Sequence, residues 1–148
     1  LIVPTKKRTE HTPVKDVRIS YDTDWQKLHW KSFESAYRSS PYFEYYEDRL
    51  RAIVMNGKED FLVDLNMKSF EFIRDILNLE TEVMVCETYV EDLQRFFDVR
   101  NSDHLNPNPG HECKSYIQVF EGKLPFQQNL SCIDLICNEG PNSINLLT

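Results

Sequence analysis

Glycine is scarce in this 148-residue chain: four residues are little material for a backbone-lined phosphate cradle, and no GxGxxG, P-loop, HExxH or GxSxG motif occurs. Basic charge is also in deficit. Lys+Arg 17 against Asp+Glu 24 gives a net charge of −7, which argues against a nucleic-acid binder, since that needs a basic face to displace counterions from phosphates. The same balance argues against docking on an anionic membrane. No apolar run approaches the roughly 20 residues of a spanning helix, and no signal-peptide pattern opens the chain. The cysteines lack pairing signals as well. Cys86, Cys113, Cys132 and Cys137 form no CxxC unit, and Cys113 with His111 and His104 has the wrong spacing for a zinc finger. Buried free thiols in a cytoplasmic protein without a bound metal are therefore expected.

What remains is globular. The apolar fraction is 41% and the charged fraction 28%, near the averages for folded domains. One domain over residues 1–148 is expected. The chain opens on Leu1 rather than Met, and Leu1 to Val3 reads as a strand already under way, so further residues are expected upstream. Val14 to Ile19 reads as a half-exposed strand, with Val17 and Ile19 facing one way and Asp16 and Arg18 the other. The two runs flank a Pro-bounded turn region and can pair as a hairpin.

Helical periodicity dominates thereafter. Asp22 or Asp24 can cap a helix whose apolar face is Trp25, Leu28, His29, Phe33, Ala36 and Tyr37, ended by Ser39-Ser40-Pro41. Tyr42 to Met55 reads as a second helix, closed by Asn56-Gly57. Phe61 to Leu79 reads as a third, with Leu65, Phe72, Ile73, Ile76 and Leu77 as its stripe. Val83 to Val90 is assigned as a strand and Glu91 to Phe97 as a short helical piece. Residues 101 to 115 read as a loop, and Tyr116 to Phe120 as either a short strand or a helix start. Ser131 and Asp134 form an S-x-x-D capping box, with Leu130 and Leu135 as its staple. Gly140 and Pro141 then stop the last helix. The expected class is α+β, a small N-terminal hairpin with a predominantly helical remainder.

Half of the aromatic residues fall within residues 21–46, among them Trp25, Trp30, Tyr37, Tyr42, Tyr45 and Tyr46. Tyr and Trp join apolar area to a polar handle, so this concentration fits either a core between two helices or a cleft for a partly polar ligand such as a sugar or nucleobase. His29 lies between Trp25 and Phe33 on one helix face. Its imidazole is either a hydrogen-bonded structural group or a general base working near neutral pH. Phosphate, if bound, falls to Arg18, Arg38, Arg49 or the helix N-terminus at Ser131. Glu44, Glu47 and Asp48 read as a solvated helix face, Asp134 as a cap, and no pattern specifies a cofactor.

Several ungapped clusters carry a family resemblance. Lys15 to Ser20, Trp25 and His29-Trp30-Lys31-Ser32 resemble the WbqC-like family of bacterial proteins. So do Ala36 to Tyr46 and, further on, Gln118-Val119-Phe120, Asn129-Leu130-Ser131, Asp134-Leu135 and Asn138-Glu139-Gly140-Pro141. Such proteins are associated with gene clusters for O-antigen lipopolysaccharide and other surface polysaccharides, often beside enzymes making amino sugars. Members usually carry an additional segment before the position of Leu1. His29, Trp30, Tyr37, Arg38, Tyr45, Asp134, Asn138 and Glu139 lie in the blocks that match. The resemblance implies a setting rather than a reaction; joined to the aromatic-rich helix pair that carries His29, it leads to the expectation of an enzyme moving an acyl or aminoacyl group onto a nucleotide-linked amino sugar. His29 would be its base, with Trp30, Tyr37, Arg38, Tyr45, Asn138 and Glu139 binding the ligand. The alternative is a non-catalytic binding or scaffold protein of the same pathway, working as a homo-oligomer or with a neighbouring enzyme.

Overall fold

The computed structural model describes residues 1–9, 12–86, 88–90, 114–128 and 130–147. Helix makes up 51% of them and strand only 5%, in isolated bridges with no sheet. This corrects the α+β expectation to a mostly helical architecture. The long helices are α1 (Trp25–Tyr37), α2 (Phe43–Arg51) and α3 (Leu62–Ile76), followed by the short α4 (Cys132–Glu139) and α5 (Ser143–Leu147).

The expected hairpin fails for a local reason. After Pro13 the chain closes a 3₁₀ turn over Val14–Asp16, which removes half of the second strand. What survives is Val17 to Ser20, held between two segments. Lys6 N–H donates to Arg18 O at 2.9 Å and Ser20 N–H to Pro4 O at 2.9 Å, while Ile19 N–H donates to Asp60 O at 3.0 Å and Leu62 N–H to Val17 O at 2.8 Å. The alternation itself holds, because Val17 and Ile19 are buried and the exposed Arg18 lies over the Phe61 ring, 4.4 Å from its centroid. The strand expected at Val83 is absent too, since residues 81–86 have no regular structure. Residues 114–118 are likewise neither strand nor helix. The helical piece expected at Glu91 to Phe97, and His11, His104, His111 and Cys113, lie outside the described residues.

α1 buries Trp25, His29 and Trp30. Trp30 faces inward and lies 200° around the helix from Leu28 at about 100° per residue, so Leu28 is left 63% exposed, against expectation. Asp24 occupies the N-cap position without a side-chain cap, and the Asp22 carboxylate accepts from Ser20 Oγ at 2.7 Å instead. α2 passes into a π turn over Ala52–Asn56, which frees carbonyls from the regular ladder. The Gln26 amide collects one of them, donating to Val54 O at 2.8 Å, and donates also to Gly57 O just beyond the turn at 2.6 Å.

Two apolar clusters result. Trp30, Phe43, Leu50, Phe72 and Cys137 form one, and Ile19, Trp25 and Leu65 the other, with Ile53 packed against both. α4 joins the α1–α2 turn through Tyr42 N–H, which donates to Cys137 O at 3.0 Å. Gly140 follows with φ 54° and ψ −127°, and a Cβ there would fall on the Tyr42 ring. Glycine is required on both counts.

Candidate functional site

The site residues expected from the sequence separate along α1. His29 and Tyr37 are eight residues apart, roughly 12 Å of helix, and each has its own surroundings.

At the first end, His29 is only 8% exposed. Its ring meets Trp25 edge-on, with centroids 5.0 Å apart. Nε2 lies 3.2 Å from the Ile2 carbonyl oxygen. A carbonyl oxygen only accepts, so in the neutral ring Nε2 carries the proton and Nδ1 holds the lone pair. Burial pushes the imidazole below its usual 6.5, with the Ile2 hydrogen bond opposing that shift. A neutral ring at physiological pH is the outcome. The N-terminal segment that supplies Ile2 is itself anchored by the Pro4–Ser20 hydrogen bond. Leu1, Ile2, Pro4, Trp25, Leu28 and His29 line an open groove of ≈ 560 Å³, with Thr23 and Asp24 as its polar members. An unprotonated imidazole nitrogen beside an apolar groove can accept a proton from a bound nucleophile.

The second end is built by the α1–α2 turn against α4. Tyr37 is half-buried and stacks on Phe33, centroids 6.4 Å apart. Burial, with the Asp134 charge as the next cause, raises its phenol to about 12. The buried Cys137 thiol is raised to about 12 by the same two causes. Asp134 is 1% exposed. It was expected as the second half of a capping box, and the structure corrects this. Ser131 Oγ accepts from Ile133 N–H at 3.3 Å, but the Asp134 carboxylate turns away to accept from Val119 N–H at 3.4 Å. Its Oδ2 has no partner. Leaving a buried acceptor unsatisfied costs ~1–3 kcal/mol, more for a charged one. The sequence did hold a signal for this, because Asp134 interrupts the apolar run Ile133 to Cys137. Asn138 turns inward along α4, donating Nδ2 to Asp134 O at 2.8 Å, and Glu139 is half-buried beside it.

The remaining expected residues are committed elsewhere or exposed. Trp30 is buried against Phe43, centroids 6.3 Å apart. Arg38 holds Glu47 with two bonds of 2.6 and 2.9 Å and Glu34 with a third of 2.8 Å. These hydrogen bonds hold the Glu47 carboxyl below its ordinary range. Arg49 pairs with Asp75 at 2.9 Å. A phosphate at either arginine would have to compete with carboxylates already in place. Tyr45 stands 78% exposed, its ring 6.0 Å from that of Tyr42.

Residues 1–106 match the WbqC-like protein family. The chain belongs to this family. No curated protein and no solved structure matches it. The stretch of this WbqC-like chain that matches includes the His29 groove, Tyr37, Arg38 and Tyr45, whereas Asp134, Asn138 and Glu139 lie beyond it. Among the described residues no group of three or more His, Cys, Asp or Glu could hold a metal ion, and no helix is long and apolar enough to cross a membrane.

Proposed function

We propose that this WbqC-like protein is a bacterial enzyme of surface-polysaccharide biosynthesis that transfers an acyl or aminoacyl group to the amine of a nucleotide-linked amino sugar, with His29 as general base. The observation that carries the reading is the His29 hydrogen bond to Ile2 O at 3.2 Å, which leaves Nδ1 as the basic nitrogen of a neutral ring lining an apolar groove. Family membership supplies the setting, through the association of such proteins with polysaccharide and amino-sugar gene clusters. In the step, the sugar nitrogen attacks the carbonyl carbon of an activated ester or thioester. The C–N bond forms, Nδ1 takes the amine proton, and the donor's leaving group departs with its bonding pair and collects that proton from the imidazolium. A positioned base of this kind contributes about 10²–10⁴-fold. The sugar ring finds Trp25 and Leu28 in the groove, and Asp24 is the charged side chain available to its polar groups.

The test is a thermal-shift screen of the protein against nucleotide-activated amino sugars, followed by transfer assays with those that bind. His29→Gln should retain the melting shift and lose transfer by at least 10². Unchanged transfer in His29→Gln removes His29 from the chemistry.

A scaffold role has its own observation in Tyr45, an aromatic side chain 78% exposed of the kind enriched at protein interfaces. Light scattering after size exclusion decides this reading. A stable oligomer dissociated by Tyr45→Ala favours it, and a strict monomer opposes it.

A further inference from the structure

Among the described residues two buried side-chain oxygens have no hydrogen-bond partner, Ser40 Oγ and Asp134 Oδ2. They sit on two segments that meet. Ser40 lies in the α1–α2 turn, which Tyr42 N–H fastens to Cys137 O on α4, one turn beyond Asp134. Asp134 is the more demanding of the two. It is 1% exposed, its other oxygen has one long bond from Val119 N–H at 3.4 Å, and among the described residues no Lys, Arg or His forms an ion pair with it. The neighbours that feel its charge, Tyr37 and Cys137, are both held protonated and neutral.

A buried carboxylate in neutral surroundings asks for a cation. The first turn of α4 offers a partial positive charge only. A divalent metal fits poorly, because the described residues hold no cluster of three metal-ligating side chains. An ammonium group fits better. It brings one positive charge and N–H donors for Asp134 Oδ2, and Ser40 Oγ offers a second acceptor from the neighbouring segment. Tyr37, near enough for the Asp134 charge to act on its phenol, adds an aromatic ring of the kind that attracts an alkylammonium.

We propose that Asp134, Tyr37 and Ser40 form a binding site for the primary ammonium group of a small ligand. The site lies at the opposite end of α1 from His29 and does not depend on the role assigned to that residue.

The probe is methylammonium chloride, compared in thermal melts with potassium chloride and tetramethylammonium chloride at equal ionic strength. Methylammonium should raise the melting temperature by roughly 5 °C at about a hundred times its dissociation constant, and the other two salts should not. Asp134→Asn keeps an acceptor for Val119 N–H and removes the unpaired charge. It should melt above the wild type in plain buffer and lose the methylammonium response, whereas His29→Gln should keep it. An equal effect of the three salts overturns the proposal, as does stabilisation by potassium alone or an undiminished response in Asp134→Asn. Where that variant does not fold, the three-salt comparison on the wild-type protein decides.

Discussion

Replacing Gly140 by alanine tests the junction between α4 and the α1–α2 turn. Two costs are visible. The backbone at Gly140 has φ 54°, a left-handed value costing an L-residue roughly 1–2 kcal/mol. The new Cβ would also fall on the Tyr42 ring, and that ring cannot retreat freely because Tyr42 N–H is tied to Cys137 O at 3.0 Å. Overpacking of this kind adds about 1–3 kcal/mol, so the total is about 2–5 kcal/mol. Gly122 provides the control. It has φ 82° as well, but a Cβ there meets nothing within 4 Å, so Gly122→Ala should cost only the conformational part, about 1–2 kcal/mol. Urea unfolding followed by tryptophan fluorescence measures both, with Trp25 and Trp30 as buried reporters. Equal losses in the two variants would refute the steric argument and with it the close approach of Tyr42 to α4.

Further outcomes follow from the same geometry. Phe43, with 0% exposure at the centre of the larger cluster, should lose about 3–5 kcal/mol on truncation to alanine, while the exposed Tyr45 should change stability by less than about 0.5 kcal/mol; urea midpoints compare them. His29 has its folded pKa lowered, chiefly by burial. Its contribution is therefore fully present above the unfolded value of roughly 6.5 and declines as the pH falls below that value. Melting temperatures between pH 5 and 8 should show this loss in the wild type and a flatter profile in His29→Gln. Cys137, buried and raised to about 12, should resist thiol reagents in the native protein, whereas the exposed Cys86 should be labelled at once, as peptide mapping would show. Equal labelling would contradict the burial of α4.

The helices were legible in the sequence because their signals are local. The α1 stripe, the Pro41 stop and the Asn56-Gly57 exit all act within a few residues, and observed boundaries follow them. The β assignment failed where the deciding partners are distant. Val17 to Ser20 alternates as a strand should, but its hydrogen bonds run to residues near 5 and near 61, one bridge each, and nothing within the segment announces that the ladder stops there. Leu28 was placed inward because spacing alone does not fix the centre of a helical face; Trp30 moves that centre away. Asp134 was assigned to a cap because S-x-x-D is satisfied by the spacing, while its side chain goes to Val119, a choice made by tertiary packing. Of the candidate site, His29 on the core side of α1 was legible. Its tautomer was not, since that depends on a carbonyl 27 residues away in sequence.

The most direct measurement is the protonation state of the His29 ring, read from imidazole ¹⁵N chemical shifts at pH 7. The hydrogen bond to Ile2 O predicts a neutral ring with its proton on Nε2 and a bare, pyridine-type Nδ1. A ring protonated at Nδ1, or carrying both protons at that pH, would contradict the assignment of His29 as the base.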